Sequence, residues 1–355
     1  MRIFLLLFFI LFTSYNIFEK DIIVNSKKAP PFLENNSLWV DSILQSLTLE
    51  EKIGQLFMVA AYSNKDEKHF EKIKNLINEY KIGGLMFLQG GPLRQARLTN
   101  KYQKISKVPL MIAQDAEWGL SMRIDSVFRF PWQMTLGAVQ DLELIYKMGY
   151  EIGKQCKRIG VHINFAPVVD VNSNPKNPII GNRSFGQDPN KVAKHSIAYM
   201  KGLQDANVLA CAKHFPGHGD TDTDSHKTLP ILNHSRLRLD SVDLIPFNEM
   251  INSGLGSIMV AHLNIPELDN SENSSSSLSK NVVTDLLKKE MGFKGITFTD
   301  ALNMKGVSDY NSPGEVDVKA LLAGNDVLLF SEDVPKAISK IKEAILRNEI
   351  TKSEI

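Results

Sequence analysis

Cysteine is nearly absent from this sequence. Only Cys156 and Cys211 occur in 355 residues, too few for a disulfide framework. Cys211 sits in an apolar run, where a buried free thiol is expected. Neither sign of charge dominates: 41 lysines and arginines face 40 aspartates and glutamates. No basic surplus points to nucleic acid, and no acidic surplus points to disorder. No glycine-rich dinucleotide turn follows the first strand-like run, and no glycine-lysine-serine ending marks a phosphate loop.

What is present is a chain with 43% apolar residues, the fraction of a soluble globular protein. Its length suits one large domain or two ordinary ones. The N-terminus has a secretory layout: Arg2, an unbroken apolar run over residues 3–12, then polar Thr13-Ser14-Tyr15-Asn16. The run is too short for a membrane span, and no small-x-small cleavage site is visible. Residues 1–20 therefore read as a signal peptide or an uncleaved anchor, residues 21–36 as a linker, and residues 37–355 as the folded domain. The chain ends at Ile355 just after a helical pattern, which leads one to expect further domains beyond it.

Periodicity then sets the fold class. A first helix is expected over residues 42–53, with Thr48 as an N-cap and Glu51 three positions on. Eight apolar runs of strand length follow, at 53–60, 82–88, 109–114, 161–169, 208–212, 257–261, 295–298 and 326–330. Several are apolar on successive residues, as in strands covered on both faces. Helical patterns at 67–80, 141–158, 189–206, 239–253 and 280–290 alternate with them. Eight strand–helix units over about 300 residues predict an α/β fold, a (β/α)₈ TIM-type barrel; a doubly wound sheet is the alternative. The serine-rich stretch 271–279 is expected to be a solvated loop over the barrel mouth.

A barrel keeps its chemistry at the C-terminal ends of its strands, and the polar residues collect there. Asp115 and Glu117 follow the third run, Asp170 and Asn172 the fourth, Lys213 and His214 the fifth, His262 and Asn264 the sixth, Asp300 and Asn303 the seventh. The densest segment is Lys213-His214-Phe215-Pro216-Gly217-His218-Gly219-Asp220-Thr221-Asp222-Thr223-Asp224-Ser225-His226. Three readings stand: a solvated loop, a metal site using His214, His218, Asp220, Asp224 and His226, or acid/base chemistry by Asp224 and His226. The last two are two residues apart and project to one side of an extended stretch. The carboxylate would orient the imidazole and stabilise its protonated form. Asp300 ends an apolar run in Thr297-Phe298-Thr299-Asp300-Ala301-Leu302-Asn303-Met304, where a strand-end aspartate is either functional or a helix cap.

The 213–226 loop, the Asp300 strand end and the run Asn164-Phe165-Ala166-Pro167-Val168-Val169-Asp170-Val171 together resemble the bacterial β-N-acetylglucosaminidases of glycoside hydrolase family 3, over residues 38–350. The resemblance implies a (β/α)₈ barrel with Asp300 as nucleophile, His226 as general acid/base and Asp224 as its partner. It implies that Asp115, Arg123, Arg183, Lys213 and His214 hold the terminal sugar, with Met259 and His262 in a pocket-lining segment. The implied partner is a carbohydrate, GlcNAc-containing glycans or muropeptides handled outside the inner membrane, with no nucleic acid partner. The implied mechanism needs no metal or organic cofactor. Phosphorolysis, a β-glucosidase or xylosidase specificity, a metal-dependent hydrolase and a non-catalytic sugar-binding module are the competing readings. One departure stands out. Where much of the family reads Asp-x-Glu-Gly-Gly-Arg, this chain has Asp115-Ala116-Glu117-Trp118-Gly119-Leu120. Trp118 either stacks on a sugar or packs the loop.

Overall fold

The computed structural model describes residues 29–34, 37–224, 228–352 and 355; the signal segment and His226 lie outside them. Eight strands form one sheet: β1 Phe57–Tyr62, β2 Gly84–Gln89, β3 Met111–Gln114, β4 Ile163–Asn164, β5 Leu209–Phe215, β6 Ser257–Val260, β7 Ile296–Thr299 and β8 Leu328–Leu329. Every pairing is parallel, in the order β7-β6-β5-β4-β3-β2-β1-β8. The ends meet where Phe298 bridges Val327 in parallel and the Thr299 amide donates to the Val327 carbonyl at 3.1 Å. This is the expected (β/α)₈ barrel.

Successive apolar residues in each run reflect two buried faces. Met58, Met86, Ala113, Ile163, Phe165, Cys211, Met259, Phe298 and Leu329 fill the barrel interior. A larger layer, including Phe57, Val59, Leu85, Phe87, Ile112, Ala212 and Ile258, packs outward against the helices. Cys211 is a buried free thiol, as expected; burial pushes it up to about 12.

Four expectations need correction. The single helix over residues 42–53 is two helices, Leu38–Ser46 and Leu49–Gln55, because Thr48 and Glu51 form a reciprocal capping box. Such a box starts a helix and cannot sit inside one. Ile53 therefore belongs to that second helix, and the first strand begins at Phe57. In the run 161–169 only Ile163–Asn164 is regular strand; Pro167 has no amide to donate. Its flank still joins β5, since Cys211 donates to the Ala166 carbonyl at 2.9 Å and Val169 to the Lys213 carbonyl at 2.8 Å. The helix expected over 239–253 divides into Leu239–Asp243 and Ile245–Asn252; the first part and Asn281–Glu290 are π-helical. Finally, the serine-rich stretch is not solvated throughout: Ser275, Ser276, Ser277 and Ser279 are buried. Their hydroxyls find partners there, Ser276 on the Leu263 carbonyl at 2.8 Å and Ser279 on Asp269 at 2.5 Å.

The helices Leu142–Arg158 and Pro189–Asp205 cross closely at glycines. A Cβ at Gly202 would lie 2.2 Å from the Tyr146 carbonyl oxygen, and one at Gly149 would lie 2.4 Å from that of Tyr199. Both neighbours are backbone, which cannot rotate aside. Gly202→Ala, despite its gain in helix propensity, is expected to destabilise by about 1–3 kcal/mol. Urea unfolding measures this; a neutral or stabilising result would contradict the close crossing.

Candidate active site

A cavity of about 640 Å³ opens at the C-terminal ends of the strands, where barrels carry their sites. Asp115, Arg123, Arg183, Lys213, His214, Met259 and Asp300 all line it. Four separate strands and two loops supply these residues, so the sequence-distant candidates converge on one space.

Their centre is an ion-pair network. The Lys213 ammonium, on β5, donates to Asp115 at 2.7 Å and to Glu117 at 2.9 Å. Asp115 also pairs with Arg123. Arg183, from a short 3₁₀ turn Gly181–Arg183, makes a two-pronged contact with Glu117 at 2.8 and 3.0 Å. Asp115, Glu117 and Lys213 are buried. Burial alone would raise both carboxylates, but Lys213 and Arg123 outweigh it at Asp115 and hold that group well below the usual carboxylate range. At Glu117 burial is likewise overcome, by Arg183 and Lys213, which bring it down to about 2. Both are anionic across the physiological range.

The loop carrying these acids is locked from behind. The Asn164 side chain, at the end of β4, brackets Ala116, accepting from its amide at 2.9 Å and donating to its carbonyl at 3.2 Å. The Tyr199 hydroxyl lies 3.1 Å from the carbonyls of both Ala116 and Glu117. His214 is oriented by buried Asp170, whose carboxylate takes the ring Nδ1–H at 2.7 Å. The same carboxylate accepts the His218 amide at 2.7 Å. Burial opposes ionisation of Asp170, and His214 reverses it, so Asp170 lies below the ordinary carboxylate value.

Two glycines of the loop sit where a side chain would not fit the backbone. Gly217 has φ +135°, and a Cβ on Gly219 would fall 1.8 Å from the Val171 carbonyl oxygen. Three members of the metal reading, His214, His218 and Asp220, have contacts of their own. His214 Nδ1 meets Asp170, His218 Nδ1 meets Thr221 Oγ1 at 2.6 Å, and Asp220 lies 3.0 Å from His234. Among the described residues no group of three or more His, Cys, Asp or Glu is arranged to hold a metal ion.

Asp300 directly follows β7. Its amide donates to the Val260 carbonyl at 2.9 Å, and its carboxylate accepts the Ala301 amide at 2.8 Å. The next helix starts only at Lys305, with Met304 at its cap. Asp300 is therefore not a helix cap. His262 is not part of the lining: its ring nitrogens sit 2.7 Å from Ser277 Oγ and 3.0 Å from the Ala301 carbonyl. It braces the segment after Asp300. Asp224 is described, but its expected partner His226 lies outside the described residues. Three residues of the site were given no role in the sequence, Glu117, Asp170 and Trp132, and His218 was read only as a candidate metal ligand. The first two carried a signal in their strand-end positions. Trp132 carried none.

The profile of the family described as "Glycosyl hydrolase family 3 N terminal domain" matches residues 48–355. The chain belongs to glycosyl hydrolase family 3. Beta-hexosaminidase A of Pseudoalteromonas piscicida is 40% identical over 281 residues, which cover 73% of this chain and 47% of that protein. Beta-hexosaminidase LpqI of Mycobacterium tuberculosis is 31% identical over 324 residues, covering 87% and 80%. The solved structure of a family 3 beta-N-acetylglucosaminidase from Paenibacillus sp. superposes with a TM-score of 0.81 at 36% identity, covering 87% of this chain and 60% of that one. The chain thus spans about half the length of the Pseudoalteromonas relative.

Buried His218, on the cavity wall, links this site to acid stability. Burial and then the nearby His214 push it down to about 4. Its folded value is below the unfolded one, near 6.5, so the stability it contributes is present above pH 6.5. That contribution is lost as pH falls toward 4, by about 3 kcal/mol in all. Denaturant titrations of wild type and His218→Asn should show the variant's stability falling less steeply between pH 6.5 and 4. Parallel profiles would contradict the assignment.

Proposed function

We propose that this chain is an exported retaining glycosidase. It removes β-linked N-acetylglucosamine from the non-reducing ends of glycans, with peptidoglycan fragments as the natural substrate. The observation that carries the reading is Asp300: a partly exposed carboxylate on the wall of a cavity that holds a preorganised network of buried charges, and one not used as a helix cap. The similarity to beta-hexosaminidases and to a beta-N-acetylglucosaminidase supports the sugar preference. The basic-then-apolar start of the sequence supports export and leaves a membrane tether open. No described helix is long and apolar enough to cross a membrane.

In this reading the inner wall binds the terminal sugar through charge-assisted hydrogen bonds, Asp115 accepting from its hydroxyls and Arg123, Lys213, His214 and Arg183 donating to it, each worth about 1.5–3 kcal/mol when desolvated. The fixed geometry matters more than the count, because donors already held in place need no reorganisation during reaction. An Asp300 oxygen attacks the anomeric carbon. A glycosyl ester forms as the bond to the aglycone oxygen breaks, and protonated His226, backed by Asp224, gives that oxygen its proton. Neutral His226 then takes a proton from water. The hydroxide oxygen bonds to the anomeric carbon, the ester breaks and the Asp300 carboxylate is restored. Histidine suits both steps, since its ordinary pKa of about 6.5 allows either form near neutrality.

Asp300→Ala should abolish turnover of an aryl β-N-acetylglucosaminide while sugar binding persists; near-normal rates would remove the nucleophile assignment. His226→Ala should cost on the order of 10²–10⁴-fold on substrates with poor leaving groups and far less on activated ones. Equal losses on both would contradict its role as the acid. Product analysis on GlcNAc-β-1,4-linked muropeptides with and without phosphate should give free GlcNAc in both cases. A sugar 1-phosphate would mean phosphorolysis, and faster turnover of glucosides or xylosides would overturn the sugar preference.

A further inference from the structure

Asp300, the proposed nucleophile, sits on a stretch of chain with no regular structure of its own. β7 ends at Thr299, and the next helix starts at Lys305. Between them Asp300, Ala301, Asn303 and Met304 line the cavity. An irregular segment of this kind keeps its place through contacts with the scaffold around it. The Ala301 amide donates to an Asp300 carboxylate oxygen at 2.8 Å, and the Leu302 amide donates to the Leu329 carbonyl at 2.8 Å. The Ala301 carbonyl closes a turn by accepting from the Met304 amide at 3.0 Å. It also takes a second donor, the His262 ring, at 3.0 Å.

His262 reaches that carbonyl from behind the cavity wall. It is buried and is not among the residues that line the cavity, so it can act on a bound sugar only through other residues. A carbonyl can only accept, so Nε2 carries a proton. In the neutral ring Nδ1 is then an acceptor, and Ser277 Oγ, 2.7 Å away, donates to it. Ser277 is fixed in turn. Its amide donates to the Ala261 carbonyl at 3.1 Å, its carbonyl accepts from the Asn325 side chain at 2.8 Å, and Ser275 Oγ lies 3.2 Å from its hydroxyl. With the Ser277 proton committed to His262, Ser275 is the donor of the serine pair. The buried part of the serine-rich stretch thus sets the tautomer and the orientation of His262. The Met304 amide already satisfies the Ala301 carbonyl, so the bond from His262 is not needed to rescue a buried orphan. What it adds is a fixed position.

We propose that His262, set by Ser277, is a positioning residue for the nucleophile: it holds Ala301, and through the Ala301 amide it holds the Asp300 carboxylate in line for attack on the anomeric carbon. The role rests on the glycosidase reading above and adds to it two side chains that do not reach the sugar. Attack needs the reacting atoms about 3–3.5 Å apart and aligned, and a displacement of about 1 Å in a supporting segment costs on the order of 10²-fold in rate. A reacting group on irregular backbone depends on its supporting shell for that precision.

The test follows covalent trapping by a slowly hydrolysed fluorinated GlcNAc donor, which separates binding (Ki) from bond formation (ki). Alongside it, kcat/KM is measured on aryl β-N-acetylglucosaminides with good and poor leaving groups. His262→Phe fills the space without a donor. It should lower ki by about 10–100-fold and leave Ki unchanged. It should lower kcat/KM by the same factor for good and poor leaving groups, because attack is impaired and proton donation is not. His262→Gln, whose side-chain amide can donate where Nε2 did, should recover part of ki. Ser277→Ala keeps the ring but removes its anchor, and should give a smaller loss of the same kind. Ser277→Ala decides the matter if His262→Phe does not fold: an unchanged ki in it would overturn the role. So would a loss that appears in Ki as much as in ki, the mark of a barrel loosened throughout, or a loss confined to poor leaving groups. No recovery in His262→Gln relative to His262→Phe would count the same way. A wild type that forms no adduct and turns over neither substrate would remove the glycosidase reading and this role with it. An active wild type with indifferent variants would remove the role alone.

Discussion

The Lys213 ammonium is buried between two carboxylates, and the rest of the site is arranged around that fact. A lone ammonium taken from water into a protein interior is strongly disfavoured unless it is paired and hydrogen-bonded. Lys213 meets the requirement with Asp115 and Glu117, and Glu117 in turn requires Arg183. These charges come from the ends of β3 and β5 and from the long connection after β4. Electrostatic pairing therefore ties three separate parts of the barrel mouth into one unit. Removing any single partner would leave a buried charge uncompensated, which costs far more than the pair itself contributes. The same interdependence holds the side chains of the network in fixed positions.

A second layer of neutral and charged contacts fixes where the network sits. Asn164 and Tyr199 hold the backbone of Ala116 and Glu117, and Tyr199 reaches them because the helix that carries it lies against Leu142–Arg158 at glycine contacts. Asp170 does the same for His214 and for the start of the loop that runs on to Asp224. Packing at the helix layer is thus transmitted to the cavity through a few hydrogen bonds. On the opposite side, Asp300 extends the β7 pairing by one residue and projects where no helix needs it.

Much of this was legible in the sequence, for physical reasons. A strand buried on both faces must be apolar on successive residues, so all eight strands were visible as runs. The barrel rule then put polar residues such as Asp115, Lys213 and Asp300 at one end. What was illegible depends on contacts between distant segments. No spacing connects Glu117 to Arg183, or Asp170 to His214, because those pairs are made by neighbouring strands and not by neighbouring residues. The serine stretch misled because its hydroxyls are satisfied inside the fold by partners such as the Leu263 carbonyl. Thr48 misled in the opposite way: its capping box was visible, yet it was placed inside a helix that it in fact begins.

The proposed mechanism requires a carboxylate oxygen of Asp300 to bond to the anomeric carbon of the sugar. A slowly hydrolysed fluorinated GlcNAc donor, quenched in acid and mapped by peptide mass spectrometry, tests this most directly. A single glycosyl adduct on the peptide containing Asp300, absent from Asp300→Asn, is the predicted result. Continued turnover with an adduct on another side chain, or with none on any peptide, would contradict it.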